Sequence, residues 1–503
     1  MSLRTILVLL CAALLIGGGL TYHLAGQEPG PLVTIHKPTV VGRGPLTFEL
    51  SVDSLGTRLT RIEAALDQQG RTFPVFSLAS PGNARFLQET LDRIRITHTL
   101  AGSALNGLKD GPARLTVTAT RQVLRGLRLA DTVTTRDVIV RVTLPTIAVV
   151  STHHYVKLGG AELVVYRVSP QDATSGVQVG DRYYPGFPAA GVNGARKDVD
   201  PALRVAFFGL MYDQDLNTPI RAVAKDVAGN EASAGFDHKA LAASFDRRRV
   251  PVDDAFLARV VPGILQGTPD LKLSASTPAE RLAAFLTING ELRRRNEQTI
   301  VDTAKDSSPE MLWKGTFLRM GGASSEAVFA DHRTYVHDGR EVDAQVHLGV
   351  DLASVRGAPI KAANSGRVIF AGFLGIYGNC VMLDHGVGVQ SLYAHLSAAD
   401  VEVGDRVERG ETIGRSGTTG LAGGDHLHFS MLLGGHPANP IEWWDPHWMA
   451  DRVTRKFTEA GLLDGSAAPP PAESPAARAP AKRKPPARSP KSPPKPAPGT
   501  RKR

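Results

Sequence analysis

Hydrophobic positions divide the chain into segments with different periodicities. An apolar run over residues 6–20 follows the single positive charge of Arg4. From residue 31 to about residue 237, apolar positions mostly alternate with polar ones, as in strands that have one buried face. From 238 to 306 the spacing favours helices, and after residue 315 short apolar runs between glycine turns favour strands again. The pattern predicts a mainly β, multidomain protein behind an apolar N-terminal helix.

The N-terminal run has two interpretations. Its length lies between that of a signal-peptide core and that of a full membrane span. A cleaved signal peptide is therefore one of the two interpretations, but no small-x-small cleavage motif is evident at residues 22–25. We favour an uncleaved transmembrane anchor over residues 1–26, with Arg4 inside the cell. This predicts a single pass through the cell inner membrane, with the rest of the chain in the periplasm or outside the cell.

Two β-sandwich-like modules are predicted next, over residues 31–145 and 146–237. Segments of alternating polarity separated by turn residues are typical of sandwiches. In the first module the clearest alternation is at Leu46, Phe48, Leu50 and Val52. The second module ends in residues 221–230, which are similar to the closing strand and turn of a bacterial immunoglobulin-like domain.

Residues 238–314 are predicted to form a helical linker region. Thr277 is a suitable N-cap, Pro278 takes the first helical position, and Glu280 completes a capping box. One helical face then carries Leu282, Phe285, Leu286 and Leu292. The region either spaces the following domain from the membrane or covers its groove and regulates it, and both alternatives stay open.

Charge is concentrated at the C-terminal end. The formal net charge of the chain is +9, and residues 466–503 hold ten Lys or Arg, one Glu and twelve Pro. The preceding residues are therefore about neutral. Such a composition buries too little apolar surface to fold, so we predict a disordered tail. The tail is either a solubilising spacer or a contact for an anionic surface, and an exported chain is not expected to bind nucleic acid.

The candidate functional residues lie between residues 346 and 430. His426 and His428 are two residues apart, so a strand directs both side chains to one face. His347 and Asp351 are four residues apart, which also places them on one face of an extended chain. A helix would do the same, but the intervening Leu-Gly-Val favours a strand or loop.

These residue types match a zinc site. Zinc binds imidazole nitrogen and carboxylate oxygen, and catalytic zinc has three protein ligands. Together with His395, the cluster has four histidines and one aspartate. That is two more side chains than zinc requires, which leaves candidates for a general base and for stabilising a developing oxyanion.

The segment resembles the lysostaphin-type (LytM-like) zinc endopeptidases, which cut peptide cross-links in bacterial cell walls. The resemblance covers about a fifth of the chain. It is carried by His347-Leu-Gly-Val-Asp351, Gly357-Ala-Pro-Ile-Lys-Ala-Ala, Gly375-Ile-Tyr-Gly-Asn379, Tyr393-Ala-His395-Leu-Ser397, Ile413-Gly-Arg-Ser-Gly417 and His426-Leu-His-Phe429. Two positions depart from the common pattern: Asp425 stands where many members have proline, and Ser430 where many have glutamate.

The resemblance implies a role for each residue. His347, Asp351 and His428 would hold one zinc ion per chain, and His395 and His426 would be the catalytic pair. The implied fold is an antiparallel β-sheet zinc peptidase domain, for which we predict residues 315–450.

The resemblance also implies a function. We expect a zinc metalloendopeptidase that hydrolyses peptidoglycan cross-links during cell-wall remodelling, with peptidoglycan as its partner. The alternative is a non-catalytic regulator that binds the cell wall and activates an amidase. Family members of that kind have lost ligands, whereas all five positions are filled in this sequence.

Overall fold

A computed structural model describes residues 2–463 of the chain. Most regular structure in this part is β-strand, and an apolar helix stands at its N-terminal end. These features confirm the predicted fold class. The tail predicted for residues 466–503 lies outside the described residues.

The N-terminal helix, α1, covers Leu3–Ala25. Ser2 caps it, because the Ser2 side chain accepts a hydrogen bond from the backbone N–H of Thr5. Over Leu3–Leu24 the helix is long and apolar enough to cross a membrane, and none of that span is buried in the protein. The predicted apolar helix is therefore present, and its apolar span is not buried in the folded part of the chain.

Nine strands follow within the predicted first module. They pair into two sheets, with the orders β1-β3-β7-β6 and β2-β9-β8-β4-β5. The inner faces share one apolar core, to which β3 contributes Leu46, Phe48, Leu50 and Val52, as their alternation predicts. The strands are β1 (Leu32–Lys37), β2 (Val40–Val41), β3 (Leu46–Asp53), β4 (Leu59–Gln68), β5 (Arg71–Ser77), β6 (Arg85–Gln88), β7 (Arg93–Leu100), β8 (Gly111–Val123) and β9 (Arg128–Val140). Short 3₁₀ turns lie at Gly102–Leu105 and Leu124–Gly126.

Eight of the next nine strands form a second pair of four-stranded sheets, ordered β10-β12-β16-β15 and β14-β13-β17-β18, and β11 lies outside both. The central strand β16 is buried along its whole length. The strands are β10 (Thr146–Val149), β11 (His154–Lys157), β12 (Gly160–Ser169), β13 (Thr174–Val179), β14 (Arg182–Pro185), β15 (Phe187–Pro188), β16 (Leu203–Leu210), β17 (Ile220–Lys225) and β18 (Glu231–Gly235), with a 3₁₀ turn at Ala189–Gly191.

The region expected to be helical from residue 238 begins instead with two strands, β19 (His238–Leu241) and β20 (Arg247–Pro251). β19 pairs in parallel with β11, and β20 with a strand 84 residues further on, beginning at Asp331. These long-range hydrogen bonds override local propensity.

Helices then follow as predicted: α2 (Asp254–Gly267), α3 (Pro278–Thr287) and α4 (Arg293–Thr303). The capping box at Thr277 and Glu280 is formed. A π-helical turn, Ile288–Leu292, joins α3 to α4, and a 3₁₀ turn covers Ala304–Asp306. Phe285 and Leu292 are buried as expected, whereas Leu286 is exposed.

The C-terminal part is built on a large sheet with the order β21-β24-β31-β28-β27-β26-β29, flanked by the hairpin of β22 and β23. Its strands are β21 (Ser324–Ala327), β22 (Asp331–His337), β23 (Arg340–His347), β24 (Val350–Ala353), β25 (Pro359–Lys361), β26 (Gly366–Phe373), β27 (Asn379–Gly386), β28 (Val389–Ala399), β29 (Arg406–Val407), β30 (Thr412–Ser416), β31 (Leu427–Leu433) and β32 (His436–Ala438). A 3₁₀ turn covers Gly375–Tyr377, and the last elements are α5 (Pro440–Trp444), α6 (Pro446–Trp448), a π-helical turn (Met449–Thr454) and α7 (Arg455–Glu459).

A buried ion pair fixes α7 against β12. The Lys456 ammonium donates to Glu162 Oε1 at 2.6 Å and to the Leu163 carbonyl at 2.8 Å. Both charged side chains are fully buried. The Glu162 carboxylate also accepts hydrogen bonds from the backbone N–H groups of Tyr155 and Leu163. Each charge therefore stabilises the other in place of water, because both side chains are buried.

Replacing Lys456 by methionine should destabilise this contact strongly. The variant leaves the Glu162 carboxylate buried without its cation, and breaking a buried pair in this way costs about 3–5 kcal/mol. Urea unfolding of Lys456→Met should therefore have a clearly lower midpoint than the wild type. The double variant Lys456→Met/Glu162→Gln should recover much of the loss, and a double variant as unstable as the single one would contradict a charge-based effect.

Candidate metal centre

The structure brings together all five side chains predicted for the site. His347 ends β23, Asp351 lies in β24, His395 in β28 and His428 in β31, while His426 directly precedes β31. The five line one small cavity of about 110 Å³. The fold therefore brings His347 and His428, which are 81 positions apart in the chain, into contact.

Strand pairing accounts for three of them. Asp351 lies directly opposite His428 in the antiparallel pair of β24 and β31, so their side chains are neighbours on one face. His426 is two residues before His428 and shares that face. Gly349 makes the approach possible, because a Cβ at this position would lie 2.6 Å from the His428 ring.

His395 reaches the site through a distortion of β28. Ala394 is the residue that pairs with His428, so regular alternation would direct His395 to the opposite face of the sheet. A register shift against β27 occurs at this position, and His395 adopts a φ of +62°. A non-glycine residue in this region is strained, and such strain concentrates at functional sites. The bulge turns the His395 ring toward the cavity.

Three donor atoms converge closely. His347 Nε2 lies 2.9 Å from His428 Nδ1 and 2.9 Å from Asp351 Oδ1. His428 Nδ1 lies 3.0 Å from the same carboxylate oxygen. All three residues are buried, with at most 8% of each exposed. His426 Nε2 is further out, 3.5 Å from Asp351 Oδ1.

In each histidine, one ring nitrogen faces the cavity (the inner nitrogen) and the other faces away from it (the outer nitrogen). The hydrogen bond of the outer nitrogen assigns the tautomer. Nδ1–H of His347 donates to the Val328 carbonyl at 3.0 Å. Nδ1–H of His395 donates to Thr419 O and that of His426 to Gly424 O, both at 2.8 Å.

His428 is oriented through a hydroxyl group. The Ser430 hydroxyl donates its proton to the Leu348 carbonyl at 2.8 Å. It must therefore accept from His428 Nε2–H, which lies 3.1 Å away. Ser430, one of the two departures noted in the sequence, thus fixes the His428 ring.

The arrangement fits a metal cation. With every outer nitrogen protonated, the inner nitrogens of His347 and His428 carry lone pairs that face a carboxylate oxygen with no proton between them. Three electron-pair donors within 3.0 Å of one another repel unless a cation lies among them. Two imidazoles and one carboxylate are a donor set for zinc and not for magnesium or calcium.

The titration of the rings agrees with this assignment. Burial lowers the pKa of His428 to about 4. Burial, with the nearby His426 and His428, also holds the pKa of His395 well below its usual range. Burial would lower the pKa of His426, but the Asp351 carboxylate raises it on balance. His395 and His428 are therefore neutral near pH 7, the form that binds metals and accepts protons.

Arg333 on β22 was not identified from the sequence. Its Nη2 donates to the second oxygen of Asp351, Oδ2, at 3.2 Å, and its Nε donates to Asp331 Oδ2 at 3.2 Å. Asp331 is fully buried and pairs with His347 across the hairpin. The guanidinium thereby holds the Asp351 carboxylate with Oδ1 toward the imidazoles. No motif marks Arg333, so only the pairing of β22 with β23 reveals it.

Residues 345–440 match the family model "Peptidase family M23". The DD-carboxypeptidase/endopeptidase Mpg of Neisseria meningitidis is 44% identical over 97 residues, which are 19% of this chain and 22% of that protein. The peptidoglycan DD-endopeptidase ShyA of Vibrio cholerae is 36% identical over 110 residues, 22% of this chain and 25% of that protein. The matches therefore span about a quarter or less of these relatives.

Two solved peptidase structures align as well. A peptidase M23 structure from Pseudomonas aeruginosa has a TM-score of 0.34 at 19% identity, covering 56% of this chain and 92% of that one. The catalytic domain of lysostaphin from Staphylococcus simulans has a TM-score of 0.23 at 28% identity, covering 25% of this chain and 96% of that one. From the family match and the sequence identities over residues 345–440, the C-terminal part of this chain is a peptidase M23 domain of the LytM and lysostaphin type.

Proposed function

We propose that this protein is a zinc metalloendopeptidase that hydrolyses peptide bonds in peptidoglycan cross-links. The proposal depends on the convergence of three electron-pair donors, His347 Nε2, His428 Nδ1 and Asp351 Oδ1. These three atoms lie within 3.0 Å of one another. His395 and His426 beside them supply the proton-transfer groups that amide hydrolysis requires. The choice of peptidoglycan as substrate is supported by the similarity to the peptidoglycan DD-endopeptidase ShyA.

His347, Asp351 and His428 would hold the zinc ion. When bound, zinc acts as a Lewis acid that activates water and polarises a peptide carbonyl. The remaining steps belong to the protein. His395 and His426 each have Nδ1–H held by a backbone carbonyl, so Nε2 of either ring, when that ring is neutral, accepts the proton of the attacking water. The protonated ring then stabilises the oxyanion and returns the proton to the leaving amine.

The proposed location follows from α1. A helix of this length and apolarity next to the single charge of Arg4 supports an uncleaved anchor in the inner membrane, with the peptidase domain on the outer side. A cleaved signal sequence would release the same domain into the same compartment, so the proposed activity holds for both.

Purified wild-type protein should bind about one zinc ion per chain and release cross-link peptides from peptidoglycan. His426→Ala should keep the zinc ion but lose about 10²–10⁴-fold in cleavage rate, because only the proton-transfer group is removed. His347→Ala should lose both zinc and cleavage. Zinc content by elemental analysis and mass spectrometry of the digestion products measure the two properties.

The exposed His447 provides the matched control, because it lies outside the cavity. His447→Ala should retain both zinc and activity. Equal release of wall peptides by the wild type and by His347→Ala would contradict the enzyme proposal and favour the non-catalytic regulator.

Arg333→Met should weaken zinc binding by about 10–100-fold, the usual effect of removing a group that orients a metal ligand. Without the guanidinium, the Asp351 carboxylate loses the donor that holds Oδ2 away from the imidazoles. Competition against a chromophoric zinc chelator measures the affinity without reference to activity.

Two variants control the Arg333 experiment. Arg333→Lys keeps the charge and should lose less affinity than Arg333→Met. Arg340→Met, an exposed position on the same hairpin, should bind zinc as the wild type does. Wild-type zinc affinity in a folded Arg333→Met variant would show that Arg333 does not position Asp351.

A further inference from the structure

One end of the first β module lies beside the C-terminal end of α1. The Arg128 guanidinium stacks over the Tyr22 ring at 4.8 Å from its centroid and donates to the Tyr22 carbonyl at 2.7 Å. Arg121, which is almost fully buried, donates to the Pro29 carbonyl and pairs with Glu28 at 3.2 Å. The last turn of α1 and the residues that follow it are therefore held against the module by two arginines, Arg128 and Arg121.

Three loops occupy this end of the module, and we call them the helix-side loops: residues 54–57, 89–92 and 124–127. Strand register places them together, since Asp53 pairs with Arg93 and β4 begins opposite Arg121. The backbone N–H of Ser54 donates to the Asp92 carbonyl at 2.7 Å and joins the first two loops. Arg121 also donates to Thr57 at 3.2 Å, which connects the loops to the segment after α1.

Each helix-side loop carries an exposed leucine. Leu91 is 98% exposed, Leu127 is 76% exposed and Leu55 is 37% exposed. Leu127 stands between Arg125 and Arg128 in the sequence. Large apolar side chains gathered at one end of a domain indicate a surface that has a partner, and alternating leucine and arginine suits the boundary between lipid tails and headgroups.

The length of α1 sets the position of a bilayer relative to these loops. The apolar span Leu3–Leu24 has 22 residues, which at about 1.5 Å per residue is roughly the 30 Å of a hydrocarbon core. Tyr22 then lies at the membrane boundary, where tyrosine is enriched. Arg128 contacts Tyr22 directly, so the adjoining loop lies at the same depth.

From this geometry we propose that the helix-side loops rest on the outer surface of the lipid bilayer that α1 spans, with Leu55, Leu91 and Leu127 inserted among the headgroups. This proposal depends on the uncleaved anchor proposed above, but not on the peptidase activity. The first module would then be held on the membrane surface by three loops and one helix, rather than by the helix alone.

Fluorescence quenching by lipids tests this contact in the full chain, reconstituted in nanodiscs of phosphatidylethanolamine and phosphatidylglycerol. Cys380 is fully buried, so in a Cys11→Ser background an introduced cysteine is the accessible labelling site within the described residues. A bimane probe at Leu127→Cys or Leu91→Cys reports on the loops. Leu144→Cys is the matched control, because this exposed leucine follows the far end of β9, about 40 Å away at 3.3 Å per residue.

Probes at positions 91 and 127 should be quenched several-fold more than the probe at 144 by lipids with a spin label just below the headgroup. They should also be several-fold less accessible to iodide. Equal quenching at all three positions would overturn the surface contact. Protection from iodide without quenching by lipid would instead indicate a protein or wall-polymer partner, and would also overturn it.

A probe on the native Cys11 separates the two proposals. Cys11 lies within α1, so lipids spin-labelled deep in the acyl chain should quench it if the helix spans the bilayer. Quenching at Cys11 with none at 91 and 127 would leave the anchor and refute the loop contact. No quenching at Cys11 would refute both, while the zinc and cleavage measurements on the same protein would be unaffected.

Discussion

The C-terminal domain must hold three electron-pair donor atoms close together with no proton between them. This is the constraint on which the arrangement of the site depends. His347 Nε2, His428 Nδ1 and Asp351 Oδ1 lie 2.9–3.0 Å apart in a site almost closed to water. Such a cluster is unfavourable by itself, since each group could form a hydrogen bond elsewhere. The surrounding structure holds it by using every outer nitrogen for a hydrogen bond, so that no ring can rotate without leaving a buried N–H unpaired.

Several residues that hold the donor atoms in place are themselves in energetically unfavourable conformations or environments. His395 has a left-handed backbone conformation, and Gly349 leaves space that any side chain would fill. Asp331, behind the site, keeps one carboxylate oxygen buried without a hydrogen-bond partner, although Arg333 contacts the other. Strained and incompletely satisfied groups gathered near one cavity are expected where a fold gives up stability to hold functional side chains.

The sequence predicted those features that follow from short-range periodicity. Even spacing placed His426 beside His428, and alternation identified the core of β3. His395 could be assigned only through family resemblance, because regular alternation directs it away from the site and a bulge reverses that direction. Arg333 and the strand β20 have no local signal at all. Their positions depend on pairing between Arg247–Pro251 and Asp331–His337, which forms only when residues far apart in the chain meet.

Part of the lining of the site comes from outside residues 345–440, the part that matches the M23 family model. Arg333 lies before it, and Arg293 of α4 lines the same cavity. The α4 residue Asn296 accepts a hydrogen bond from the Ile376 backbone at 3.0 Å, and a Cβ at Gly375 would come within 2.4 Å of the Asn296 side chain. The Asn296 side chain of α4 thus contacts the backbone of residues 372–378, which form one wall of the cavity. Segments that precede the family match therefore line the cavity together with the donor residues. Any molecule that enters the cavity should therefore contact α4 and β22 as well as the donor residues.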